Sequence, residues 1–234
     1  MHRILGIGCI ILGICCLISS VGVIVYNQWE EERAQIASQI ILQDIRENIQ
    51  EIIPDNITDS VPESPPEEQV TQESIPEPTD TEALHPDESE RDISPEITAE
   101  IPKEMLTAHV NGYDCIGILS IPVLDLELPV LTDWNYTKLK IAPCHYFGSC
   151  YETDFVIAAH NYRSQFGRLP ELQPKDLILF TDISGSMHCY EVILTETLPA
   201  NATKEMIASG FDLSLYTCTS AGTGRITVRC QKVE

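Results

Sequence analysis

The run SLYTCTSAGTGRITVRC, residues 214–230, sets Cys218 seven positions before Arg225 across a glycine-bearing turn. A thiol becomes a useful nucleophile when nearby positive charge favours its thiolate, and a guanidinium or an imidazolium can supply that charge. If LSLYTC and RITVRC pair around the six residues 219–224, Cys218 stands directly opposite Arg225, within side-chain reach. Arg229 then stands opposite Ser214, about 13 Å further along a strand that rises ~3.3 Å per residue, and reads as a solvated strand charge. His160 closes the apolar run DFVIAAH and is followed by the polar run NYRSQFGR, which puts an imidazole at the end of another strand. Thiol, imidazole and guanidinium are the groups needed for covalent acyl transfer: nucleophile, proton carrier and oxyanion partner. On residue types alone, strand-end Cys and His also fit a purely structural role.

The remaining thiols and imidazoles offer less. Cys144-His145 with Cys150 matches no common zinc spacing, so a local Cys144–Cys150 disulfide or a pair of free buried thiols is expected, and no metal. Cys115, Cys189 and Cys230 fall in apolar runs and are expected to face a core, while Cys9, Cys15 and Cys16 lie in an N-terminal apolar stretch. The chain has no phosphate-cradling glycine loop and no paired-carboxylate pattern.

These groups need a scaffold, and composition divides the chain into four parts. Residues 4–26 hold no charge, which is long enough for a helix to cross a hydrocarbon core of roughly 30 Å, so residues 1–29 read as an uncleaved membrane anchor. His2 and Arg3 precede the span and Glu30, Glu31 and Glu32 follow it, which places the N-terminus in the cytoplasm and the rest outside. Residues 30–53 carry Leu42, Ile45, Ile49 and Ile52 on one helical face and read as an amphipathic helix extending the anchor. Residues 54–105 hold sixteen acidic and two basic residues and nine of the fifteen prolines, without one aromatic side chain. Such a segment cannot bury enough apolar area to offset its ordering entropy, so it reads as a disordered stalk whose reach suits a domain working away from the bilayer. The formal net charge of −22 excludes nucleic acid as a natural partner.

From residue 106 to 234 short apolar runs alternate with turn residues. YDCIGILSIP, LDLELPVL, DFVIAAH, DLILF, MHCYEVILTETL, LSLYTC and RITVRCQKV each have strand length and composition. Seven or more short strands in one domain predict an all-β fold, a closed or nearly closed antiparallel barrel that removes exposed edges.

The elements AAHNYRSQFGRLPEL, LYTC and RITVR, preceded by IGILSIPVLDLELPVL, resemble the sortases, the cysteine transpeptidases of Gram-positive cell walls. The resemblance covers about residues 113–233 and implies the eight-stranded sortase barrel. It implies His160 as general acid/base, Cys218 as nucleophile and Arg225 as the group holding the substrate carbonyl or its oxyanion. Thr217 and Asn161, beside the nucleophile and the histidine, are the candidate substrate-binding residues. The segment 198–211, just before the nucleophile strand, is the expected substrate-side wall. The implied partners are surface proteins with a C-terminal sorting motif of the Leu-Pro-x-Thr-Gly type, a cell-wall precursor amine and the membrane, with no cofactor. Ala159 stands where the family commonly has Gly. No Asp-Pro-aromatic element precedes the barrel and no membrane helix follows the last strand, which favours protein anchoring over pilin polymerisation. The competing readings are another cysteine peptidase, an L,D-transpeptidase-like enzyme, or a non-enzymatic membrane-tethered β domain.

Overall fold

The computed structural model describes residues 2–52 and 104–233; the acidic stalk, apart from Glu104 and Met105, lies outside the described residues. One unbroken helix, α1 (His2–Ile52), joins the anchor to the amphipathic segment. Nine strands follow: β1 (Ala108–Val110), β2 (Tyr113–Ile121), β3 (Leu126–Leu131), β4 (Cys144–Phe147), β5 (Phe155–Ala158), β6 (Leu177–Asp182), β7 (Met187–Pro199), β8 (Leu213–Cys218) and β9 (Gly224–Val233). Two short helices, α2 (Tyr136–Leu139) and α3 (Thr203–Ile207), sit in the connections.

The sheet runs β1-β2-β3-β4-β5-β8-β9-β7-β6, and a further β2–β6 pairing closes strands β2 to β9 into an eight-stranded barrel with β1 on its edge. The expected closed barrel is therefore present. It is not wholly antiparallel, because β3 pairs with β4, and β5 with β8, in parallel. Two strands escape a reading by apolar runs: β1 has three residues, and β4 (CHYF) mixes polar and aromatic types. Closure depends on Gly117, which faces Val130 on one side and Asp182 on the other. Its φ is +155°, and a Cβ there would lie 2.2 Å from the Thr181 carbonyl oxygen, so no other residue lets β2 approach β6.

Alternation along the strands separates two cores. Phe155 and Ile157 point into the barrel with Leu119, Val130, Phe180, Leu215 and Val228. Val156 and Ala158 point outward into a second core, which α3 covers over β5 and α1 covers over β1, β2 and β3. The α1 residues Ile41, Leu42, Ile45 and Ile49 are buried against Cys115, Ile118, Leu131 and Cys144 on the barrel's outer face. Around this seam Arg46 pairs with Glu127, Asn111 binds Asp44, and Lys140 Nζ meets Glu30 Oε1 at 2.6 Å. The helix before the stalk is thus docked on the barrel. The expected reach of the stalk lies outside the described residues.

The first half of the helix has a different surface. Leu12, Leu17, Ile18, Val21, Ile24 and Tyr26 are more than half exposed, and this N-terminal stretch is long and apolar enough to cross a membrane.

A domain boundary at residue 106 leaves out the helix that covers this outer face. Ile45 is fully buried in the seam, so Ile45→Ala is expected to lower the unfolding free energy by about 2–5 kcal/mol. Denaturant titration of the detergent-solubilised chain measures it. A fragment starting at residue 106 should likewise aggregate unless residues 30–53 are supplied.

Candidate functional site

The strand pairings place the chemistry. Cys218 is the last residue of β8 and pairs directly with Arg225 of β9. The next pair, Thr219 with Gly224, is hydrogen-bonded from Thr219 N to Gly224 O at 3.0 Å, so Cys218 and Arg225 form the non-hydrogen-bonded kind of pair, in which side chains stand closest. On the other side of β8, Ala158 of β5 pairs in parallel with Tyr216. Ala159 N donates to Tyr216 O at 3.1 Å and Thr217 Oγ1 donates to Ala159 O at 2.9 Å. Carried two residues further, that register sets His160 level with Cys218. Imidazole, thiol and guanidinium therefore lie on three neighbouring strands at one rim of the barrel.

His160 is held by its backbone. Its N–H donates to Gln165 Oε1 at 3.0 Å, and its carbonyl accepts from Phe166 N at 3.2 Å. Gly167 lets this loop fold tightly: a Cβ there would sit 2.6 Å from Asn161 O and 2.7 Å from Tyr162 O. The ring stacks on Tyr162, centroids 3.9 Å apart at 20°. Burial and then the Lys140 ammonium hold the His160 pKa below its ordinary value of 6.5, against the opposing pull of Glu30, Asn161 and Glu31. The imidazole is consequently neutral near pH 7. Its buried Nδ1 has no hydrogen-bond partner among the described residues.

Cys218 is exposed, whereas Cys115, Cys144, Cys150 and Cys230 are buried and Cys189 is intermediate. Burial pushes the Cys115 and Cys144 thiols up to about 12 and raises Cys230 too, so these remain protonated and inert. Cys189 departs from the expected core position. Cys144 and Cys150 lie in separate cores, one outside and one inside the barrel, which rules against the disulfide expected between them.

Arg225 is half-buried and borders a cavity of about 140 Å³ with Trp134, Tyr136, Tyr146, Met206 and Tyr216. One wall comes from Pro199, Ala200, Ala202 and Thr203, within the segment 198–211. Thr217 is 1% exposed and its hydroxyl is committed to Ala159; it positions the strand that carries His160. Asn161 stays half-buried beside the imidazole.

Arg229 is not a solvated strand charge. It is 2% exposed: Nε donates to Glu196 Oε1 at 2.8 Å, Nη1 to Ser214 Oγ at 2.7 Å, and Nη2 to the Glu205 carbonyl at 2.7 Å. The group ties β9 to β7, β8 and α3, which a strand pattern alone does not reveal.

A second thiol, imidazole and carboxylate meet elsewhere. Cys150, Asp182 and His188 bring their donor atoms within 4.8 Å of one another, and all three are buried. Their spacing across the chain gives no sequence signal.

Residues 119–233 match the family model of the sortase domain. This stretch belongs to the sortase family. It contains every strand of the closed barrel except the first residues of β2, and it includes His160, Cys218 and Arg225. Among solved structures, sortase A from Corynebacterium diphtheriae is 25% identical with a TM-score of 0.48, over 52% of this chain and 62% of that one. Sortase C from Clostridium perfringens SM101 is 20% identical with a TM-score of 0.45, over 52% and 71%. Sortase C from Streptococcus pneumoniae is 23% identical with a TM-score of 0.47, over 51% and 67%. The chain thus spans less than two thirds of the Corynebacterium sortase. No curated protein sequence matches it significantly.

The two arginines of the sortase domain separate by what they hold. Arg229→Lys leaves at least one buried acceptor unpaired and should cost about 1–3 kcal/mol of stability. Arg225→Lys, at the half-exposed rim, should stay within about 0.5 kcal/mol of the parent. Chemical denaturation of both variants gives the comparison.

Proposed function

We propose that this protein is a membrane-anchored cysteine transpeptidase that cleaves a sorting motif of the Leu-Pro-x-Thr-Gly type and joins the acyl part to a cell-wall amine. The observation that carries the reading is the alignment of Cys218 on β8 with Arg225 on β9 and with His160 just past the end of β5, within the sortase domain.

The neutral His160 accepts the Cys218 proton as sulfur attacks the scissile carbonyl carbon. The carbonyl oxygen becomes an oxyanion, and Arg225 supplies fixed positive charge where it forms. Collapse breaks the C–N bond, His160 returns the proton to the leaving amine, and a thioacyl enzyme remains. An incoming amine attacks the thioester, His160 takes its proton, and the thiol leaves as the new amide forms. The aromatic cavity beside Arg225 has room for one apolar side chain of the motif, with the 198–211 segment as its wall and Asn161 on the histidine side.

Residues 4–26 span the membrane in this reading, with His2 and Arg3 in the cytoplasm of a Gram-positive cell and the barrel outside. Glu30 pairs with Lys140, and Glu31 Oε1 accepts from Ser164 N at 3.0 Å, so α1 meets the loop that carries His160. Those residues lie four and five positions past Tyr26, about 6–8 Å along the helix axis. The catalytic rim then works close to the bilayer, where a substrate still held by its own membrane segment would present its motif. A peptidase that merely hydrolyses is the second reading, and the amine dependence of product release separates the two.

Cys218→Ala should abolish cleavage of a sorting-motif peptide while leaving the thermal transition unchanged, because an exposed strand-end thiol contributes little packing. Arg225→Lys keeps charge but loses the planar fork and should lower kcat/KM about a hundredfold to a thousandfold. The pH profile tests the histidine. Protonation removes the base, so the rate should fall as pH drops through the depressed His160 value. Lys140→Gln removes a positive neighbour and should move this acid limb to higher pH, whereas Glu30→Gln should move it lower. Identical limbs in both variants would contradict the assignment.

A further inference from the structure

The buried group around Asp182 lies far from the catalytic rim. His188 opens β7, whereas Arg225 faces Leu198 near its other end, ten residues or about 33 Å along the strand. Asp182 closes β6 and His188 follows the β6–β7 turn, so one hairpin supplies both; Cys150 comes from the connection between β4 and β5.

The donors are oriented. Asp182 Oδ1 is fully engaged, accepting from Ser184 Oγ at 2.5 Å and Ser186 N at 3.0 Å. Its other oxygen, Oδ2, faces His188 Nε2 at 3.3 Å and takes the Tyr151 hydroxyl. That 3.3 Å separation is long for a charge-assisted hydrogen bond, ordinarily about 2.7–2.9 Å. It equals the edge between nitrogen and oxygen ligands on a tetrahedral zinc, about 3.3 Å for bonds of 2.0–2.1 Å. The Cys150 sulfur lies within 4.8 Å of both atoms, and the corresponding sulfur edge is about 3.6 Å. Closing the triangle takes movements of about an ångström or less. A thiolate, an imidazole and a carboxylate with 1%, 5% and 1% exposure form the mixed soft and borderline set that suits zinc.

We propose that Cys150 Sγ, Asp182 Oδ2 and His188 Nε2 bind a structural zinc ion, with water as the fourth ligand. Thiolate and carboxylate together cancel the two positive charges, which the buried position requires. Binding releases the Cys150 thiol proton to solvent. The imidazole proton passes from Nε2 to Nδ1, where Lys232 now stands. Lys232 Nζ lies 3.2 Å from His188 Nδ1 and 3.4 Å from the Cys150 carbonyl; its residue is exposed, so the ammonium can turn out to water as the metal enters. Lys232 is the cation that zinc displaces. The ion would staple the β6–β7 hairpin to the β4–β5 connection.

The test uses the full chain in detergent with Cys218→Ala, which removes the exposed catalytic thiol as a competing ligand. After chelation, cobalt(II) is titrated as a spectroscopic probe and zinc content is measured after reloading and dialysis. The expected result is one metal per chain, visible ligand-field bands of tetrahedral cobalt and a near-ultraviolet thiolate charge-transfer band. Cys150→Ser should abolish the charge-transfer band. Lys232→Met, which does not touch the metal, should tighten binding about tenfold or more by removing the competing ammonium. Zinc should raise the melting temperature of the parent and not of Cys150→Ser. Absence of the tetrahedral spectrum in the parent, its persistence in Cys150→Ser, or unchanged or weaker binding in Lys232→Met would each overturn the site, and the first and last do not depend on a ligand variant that folds.

Discussion

The parallel joint between β5 and β8 decides where the chemistry can occur. An antiparallel neighbour would have turned the DFVIAAH run end for end and carried His160 to the far rim. The parallel pairing of Ala158 with Tyr216 instead brings His160 out beside Cys218. A slip of one residue would turn one side chain to the opposite face, and two bonds guard against it, Ala159 N to Tyr216 O and Thr217 Oγ1 to Ala159 O. Lower on the same hairpin, buried Arg229 reaches Ser214 on β8, Glu196 on β7 and Glu205 in α3. This network sets the β8–β9 register whose last pair is Cys218 with Arg225. Buried Arg229 thereby determines where Arg225 stands.

The second constraint is α1. Its apolar face packs on the outer surface of β1, β2 and β3, and its Glu30 and Glu31 reach Lys140 and Ser164. Glu30 and Lys140 act on His160 in opposite senses, so the protonation of the imidazole is linked to whether the helix is docked. Helix, barrel and site are consequently one mechanical unit, and a barrel separated from its helix would differ in both stability and proton affinity.

Much of this was legible in the chain. Seven of the nine strands announce themselves as apolar runs, and the Cys218–Arg225 pairing follows from a hairpin with a six-residue turn. The parallel joints are not legible, because a strand's direction in a sheet depends on long-range closure that no local pattern encodes. Arg229 illustrates a different limit: on a strand diagram it is one more outward charge, and only side chains of β7 and β8 together with α3 folding over it turn solvent into three acceptors. The face of α1 was readable as Leu42, Ile45 and Ile49, but not its partner, since the uncovered side of a barrel strand looks like any alternating strand. Asp182 and His188 share the β6–β7 hairpin, but Cys150 stands 32 residues before Asp182 on the β4–β5 connection, so its meeting with them is a property of the closed barrel.

The central claim is that Cys218 forms an acyl bond to a sorting-motif substrate with His160 moving the proton. The direct measurement is a rapid-quench reaction of the detergent-solubilised chain with a Leu-Pro-x-Thr-Gly peptide in the absence of amine, followed by peptide mass mapping. The account predicts a thioester on Cys218 that disappears when an amine nucleophile is added and accumulates poorly in His160→Gln. An adduct on another cysteine, or cleavage without any adduct at Cys218, would contradict it.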